Sequence, residues 1–79
     1  MKIKVCVSYE QEYDIDNDVI DTLYNIHRDP DAIAPVETYV EAEKVVEMLT
    51  GLPVFGQIDN TKPSIYAVYA EDNTPIFEY

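Results

Sequence analysis

The run IKVCVSYEQEYDI, Ile3 to Ile15, decides how the chain begins. Its odd positions read Ile3, Val5, Val7, Tyr9, Gln11, Tyr13, Ile15, and its even positions Lys4, Cys6, Ser8, Glu10, Glu12, Asp14. A period of two marks a strand with one dry and one wet face, and only Gln11 breaks it. The pattern predicts one long half-buried strand, or a strand with a bulge near its end. Tyr9 and Tyr13 then face the core. Glu10, Glu12 and Asp14 line the wet side, about 6.8 Å apart from one even position to the next.

Outward from this run, Asp16 or Asn17 can cap a helix on which Val19, Ile20, Leu23, Tyr24 and His27 recur at helical spacing. Asp18 and Asp21 fall near its first turn, where the helix dipole favours negative charge. Arg28 suits its end and Pro30 forbids continuation. The stretch DPDAIAPVE, with two prolines, reads as a connector. Thr38 and Glu41 have the spacing of a capping box, which predicts a second helix from Tyr39 to Thr50. Ala42, Val45, Val46 and Leu49 form its buried stripe, with Glu43, Lys44 and Glu47 in water. Gly51 stands where a left-handed C-terminal residue belongs, and Pro53 follows.

The remainder reads as β: a short strand Val54 to Ile58, a loop DNTKP, and a strand SIYAVYA whose two apolar faces imply a central strand covered on both sides or an interface. On that strand Tyr66 and Tyr69 point to opposite sides, so at least one is exposed. A turn at EDNT leads to PIFEY, an edge strand because Pro75 cannot donate to a ladder. The expected fold is one α+β domain over residues 1–79. It is a small antiparallel sheet of about four strands, in the order β-α-α-β-β-β, with two helices on one face.

Size and charge narrow the function. Seventy-nine residues give a radius of gyration of roughly 12 Å, and so small a core leaves little room for a supported catalytic apparatus. Sixteen acidic against five basic side chains leave a net charge of −11. Such a molecule is repelled by nucleic acid and by anionic membranes, and its natural partners are basic. One cysteine permits no internal disulfide, which fits a reducing cytoplasm. Met1 to Lys4 is basic, but the apolar run of a signal peptide does not follow, so the chain reads as soluble and intracellular.

Catalytic and metal signatures fail one by one. Asp14, Asp16 and Asp18 match the opening of a calcium loop, yet Val19 stands where the loop needs glycine and Asn25 where it needs a bidentate glutamate. His27 is the sole histidine and has no partner in the local sequence. Cys6 lies in a negative field that opposes a thiolate, with only Lys4 to help. Two glycines cannot build a phosphate loop. The expectation is a non-enzymatic protein with no cofactor and no metal.

What remains is the stretch YEQEYDIDNDVID, in which six of thirteen residues are carboxylates. Glu10, Glu12, Tyr13, Asp14, Asp16, Asp18 and Asp21 are the candidate partner-binding residues. Lysines and arginines that line a DNA-binding groove would accept such a surface in place of phosphates. In size, charge and lack of catalytic motifs the chain resembles the small acidic inhibitors encoded by phages and mobile elements: anti-CRISPR, anti-restriction and uracil-glycosylase-inhibitor proteins. The resemblance lies in composition over the whole chain and carries no motif, so no residue role transfers. It implies a DNA-mimicking inhibitor in a bacterial cytoplasm, anti-CRISPR first. The partner would be a protein with a basic nucleic-acid-binding groove: a CRISPR effector, a restriction enzyme or a repair enzyme. The alternative is a homodimeric interaction module built on Ile65–Ala70 or on PIFEY, its acidic face serving only solvation.

Overall fold

The opening run folds as a hairpin. Strand β1 (Lys2–Cys6) turns through Val7, Ser8 and Tyr9 into β2 (Glu10–Asp14), and the two pair antiparallel with Lys2 opposite Asp14, Lys4 opposite Glu12 and Cys6 opposite Glu10. The structure, a computed structural model, describes residues 1–54 and 64–79. The single long strand expected over Ile3–Ile15 is corrected here. Unbroken, it would run roughly 40 Å, as long as the molecule's longest extent of 38 Å, and its far half would lack a partner. Doubling back at Ser8 supplies one. Tyr9 sits in the turn and is 54% exposed, so it does not face the core as its parity implied.

Helix α1 (Asp18–Arg28) follows, then α2 (Val36–Thr50), β3 (Ala67–Ala70) and β4 (Pro75–Glu78). The strands form one antiparallel sheet in the order β2-β1-β3-β4. This is the expected α+β class, four antiparallel strands with two helices. β3 is central and β4 is an outer strand, as the two-faced apolar pattern and Pro75 implied. Of the expected strand Val54 to Ile58, only Val54 is described, bridged in parallel to Ile65. Its other residues and the loop DNTKP lie outside the described residues.

One face of the sheet carries the core. Ile3, Val5 and Val7 meet Ile20 and Leu23 of α1, Ala42 and Val46 of α2, Val68 and Ala70 of β3, and Ile76 and Phe77 of β4. In α1, Asn17 is the cap: its Oδ1 accepts from the Val19 N–H at 2.9 Å and the Ile20 N–H at 3.4 Å. Asp18 and Asp21 lie in the first turn, and His27 and Arg28 in the last.

Helix α2 departs from expectation at its start. It begins at Val36, three residues before Tyr39, and Pro35 precedes it with no side-chain cap. Proline's fixed φ, here −59°, suits helix entry, and the Thr38 N–H reaches the Pro35 carbonyl at 3.0 Å. Thr38 therefore lies inside the first turn, not ahead of it. The helix ends as expected at Gly51, whose φ of 70° is the left-handed conformation. Its solvent face differs from expectation too. Glu43 and Glu47 are half-buried: Glu47 Oε1 accepts from the Val54 N–H at 3.4 Å, and the Tyr79 hydroxyl bonds Glu43. Leu49, expected in the buried stripe, is 39% exposed.

A polar chain fastens α1 to the β3–β4 turn. Arg28 donates to the Tyr24 hydroxyl at 3.2 Å, Tyr24 donates to Asp72 at 2.8 Å, and the Thr74 N–H donates to Asp72 at 3.0 Å. Hydrogen bonds from the Thr74 side chain and backbone, then from Tyr24, hold the Asp72 carboxyl down at about 2.

Two outcomes are expected. Asn17→Ala should destabilise the protein by about 1 kcal/mol in urea unfolding, whereas Asp16→Ala should cost no cap; equal costs would contradict the assignment. By NMR titration Asp72 should protonate near pH 2. Thr74→Val should move that value up more than Tyr24→Phe does. Because the folded value lies below the ordinary 3.8, the stabilisation from this clamp is present above about pH 4 and fades as pH falls toward 2.

Candidate acidic interface

The hairpin fixes how the acidic run is displayed. Met1 and Ile15 exchange both backbone bonds, each 2.7 Å. In an antiparallel ladder, hydrogen-bonded and non-hydrogen-bonded pairs alternate. The pairs Lys2–Asp14, Lys4–Glu12 and Cys6–Glu10 are therefore of the non-hydrogen-bonded kind, with Cα atoms about 4.5 Å apart and side chains close together. Of these six, Lys2, Glu10, Glu12 and Asp14 are exposed, Lys4 is half-buried and Cys6 is buried. The three carboxylates are exposed as parity predicted.

From Asp14 the chain passes Asp16, exposed, to Asp18 and Asp21 at the start of α1, the first exposed and the second half-buried. Along the chain the six carboxylates follow one another from an outer strand into a capped helix start, with Glu10, Glu12 and Asp14 on the open face of the sheet and Asp18 beside α2 on the helix side. Both ends are held: the strand by its ladder with β1, the helix start by Asn17. Tyr13 does not join them. It pairs with Ile3, is half-buried against the core cluster, and donates from its hydroxyl to Gln11 at 2.6 Å.

Lys2 and Lys4 are the members of this surface that the sequence reading missed. A hairpin centred on Ser8 pairs residues whose numbers sum to sixteen, so the signal was there once the turn is placed. Two of the protein's five cations thus stand directly across from Asp14 and Glu12. Lys4 also donates to Asn73 at 2.7 Å, and Asp14 lies 3.7 Å from the amino terminus. These cations temper the charge of Glu12 and Asp14, whereas Glu10 stands across the ladder from Cys6. Glu41 is a further neighbour: with Asp18, Val19, Thr22 and Thr38 it lines a shallow groove of about 200 Å³ between the helices.

The chemical candidates take ordinary structural places. Cys6 is buried, and its thiol is pushed up first by burial and then by the Glu10 charge across the ladder, with Lys4 offsetting part. His27 has a partner after all: its Nε2 lies 3.2 Å from the Tyr39 hydroxyl, and the two rings meet edge to face. Tyr66 is 49% exposed, the exposed member of the pair that the sequence required. Among the described residues, no group of three or more His, Cys, Asp or Glu side chains is placed to hold a metal ion, and no helix is long and apolar enough to cross a membrane.

Alkylation by iodoacetamide should be slow on folded Cys6 and fast in concentrated urea, and Glu10→Gln should speed the folded reaction. Equal rates in the two states would contradict the buried, thiol-form placement. No protein family, curated protein or solved structure matches the chain, so the function is argued from the geometry alone.

Proposed function

We propose that the protein is a non-catalytic inhibitor that docks its acidic edge in the cationic groove of a nucleic-acid-binding protein. One observation carries the reading: Glu10, Glu12 and Asp14 stand exposed on an outer strand, and Asp16 and Asp18, also exposed, lead from it into a capped helix start. Carboxylates fixed on a paired strand and a capped helix start bind at lower entropic cost than a flexible acidic tail, because their geometry exists before the partner arrives. Along β2 the carboxylates fall about 6.8 Å apart, against 3.4 Å of axis per phosphate in one DNA strand, so each replaces roughly every second phosphate. The match is electrostatic and not atom for atom.

The partner is a protein with lysines and arginines set for a phosphate backbone. A CRISPR effector comes first and a restriction or repair enzyme next, in line with the acidic phage-encoded inhibitors that the chain resembles. Acting in a bacterial cytoplasm, the protein would exclude DNA by occupying its place. The homodimer alternative rests on β4, the outer strand opposite β2, since β3 is paired on both sides.

The test follows DNA binding by purified CRISPR effectors, restriction enzymes and uracil-DNA glycosylase, with increasing amounts of the protein. At least one should lose DNA binding, with affinity for the inhibitor falling steeply between about 50 and 200 mM salt. Glu12→Gln/Asp14→Asn/Asp16→Asn should keep the melting temperature and weaken inhibition roughly tenfold. Wild-type potency in that variant, or no enzyme inhibited, would overturn the reading.

A further inference from the structure

The connector and the first turns of α2 carry an exposed apolar strip that the acidic edge does not use. Ile33 is 92% exposed, Val36 73% and Val40 42%. Val36 and Val40 are four residues apart on one helix and so lie on the same face, about 6 Å apart along the axis. Ile33 stands three residues before the first of them. Single aliphatic residues on a surface are ordinary, whereas Val36 and Val40 adjoin on one helix face and Ile33 precedes them in the connector, three exposed aliphatics within eight residues. The row stops at Lys44, the next position on that face.

The surroundings select what covers it. From Asp29 to Glu43 the chain carries five carboxylates and no lysine, arginine or histidine. Asp31, Glu37 and Glu41 are exposed beside the strip. A second copy would bring another charge of −11 and another acidic rim, so like charges oppose self-association. An anionic bilayer is repelled for the same reason.

We infer that Ile33, Val36 and Val40 dock a basic amphipathic helix of a partner protein, its apolar stripe on these three residues and its lysines or arginines against Asp31, Glu37 and Glu41. Helical spacing suits the site, because an apolar line along one helix is matched by residues at i, i+3, i+4 and i+7 of another. This docking surface does not depend on the β2–α1 edge, and either surface can fail without the other.

The probe is a fluorescent synthetic amphipathic helix of about 18 residues, leucine on one face and lysine on the other, followed by anisotropy. The control peptide has the same composition in scrambled order. Wild-type protein should bind the amphipathic peptide at least about tenfold tighter than Ile33→Ser/Val36→Ser/Val40→Ser does, while the scrambled peptide makes no such distinction. Glu37→Gln/Glu41→Gln, which leaves the apolar strip intact, should also weaken binding and steepen no salt dependence. Equal affinity of wild type and the serine variant overturns the proposal. So does a wild-type dimer in sedimentation that the serine variant abolishes, or capture of wild type but not the variant by phosphatidylcholine vesicles.

Discussion

The pairing of β1 with β2 is the constraint on which the rest depends. It makes β1 an interior strand, free to take β3 on its other side, and so sets the sheet order β2-β1-β3-β4. It places Ile3, Val5 and Val7 under the helices, where they meet Ile20, Leu23 and Val46. It also sends the acidic run to the rim of the sheet. An outer strand exposes unpaired backbone groups, and charged side chains on it discourage pairing with other chains. The same carboxylates therefore protect an edge and offer a surface.

The hairpin was hidden from periodicity for a definite reason. A turn centred on Ser8 maps each residue onto another of the same parity, so odd positions remain dry and even positions wet whether the run is straight or folded back. Of Val7, Ser8 and Tyr9 only Ser8 favours a turn, more weakly than Asn or Asp, and the Gly that marks a two-residue hairpin loop is missing. The wet face was thus legible, while its partners, Lys2 and Lys4, were not. Helix α1 could be read because Asn17 is a cap with a side-chain mechanism. The start of α2 was misread because Thr38 and Glu41 mimic a capping box, while Pro35 enters the helix by backbone shape alone. Tyr39 and His27 meet across twelve residues, a contact that no local pattern announces.

Charge is distributed with more structure than its total conveys. The open side of the hairpin mixes Lys2 and Lys4 with Glu10, Glu12 and Asp14, so its field is tempered at the centre and strongest toward Asp16 and Asp18. The connector and α2 hold a second acidic stretch beside the exposed Ile33, Val36 and Val40. The polar chain from Arg28 through Tyr24 to Asp72 holds one of the few arginine or lysine charges, still exposed, beside the β3–β4 turn. Exposed charges act on a partner within about 8 Å at physiological salt, so rigid placement matters more than net count.

The most direct measurement is a proton NOE experiment on the folded protein. Non-hydrogen-bonded antiparallel pairs bring their Hα atoms into contact, so strong Hα–Hα cross-peaks are predicted between Lys4 and Glu12, Lys2 and Asp14, and Cys6 and Glu10. If those cross-peaks are missing and β1 runs on extended past Tyr9, the acidic residues do not lie on an outer strand opposite the lysines, and the account fails.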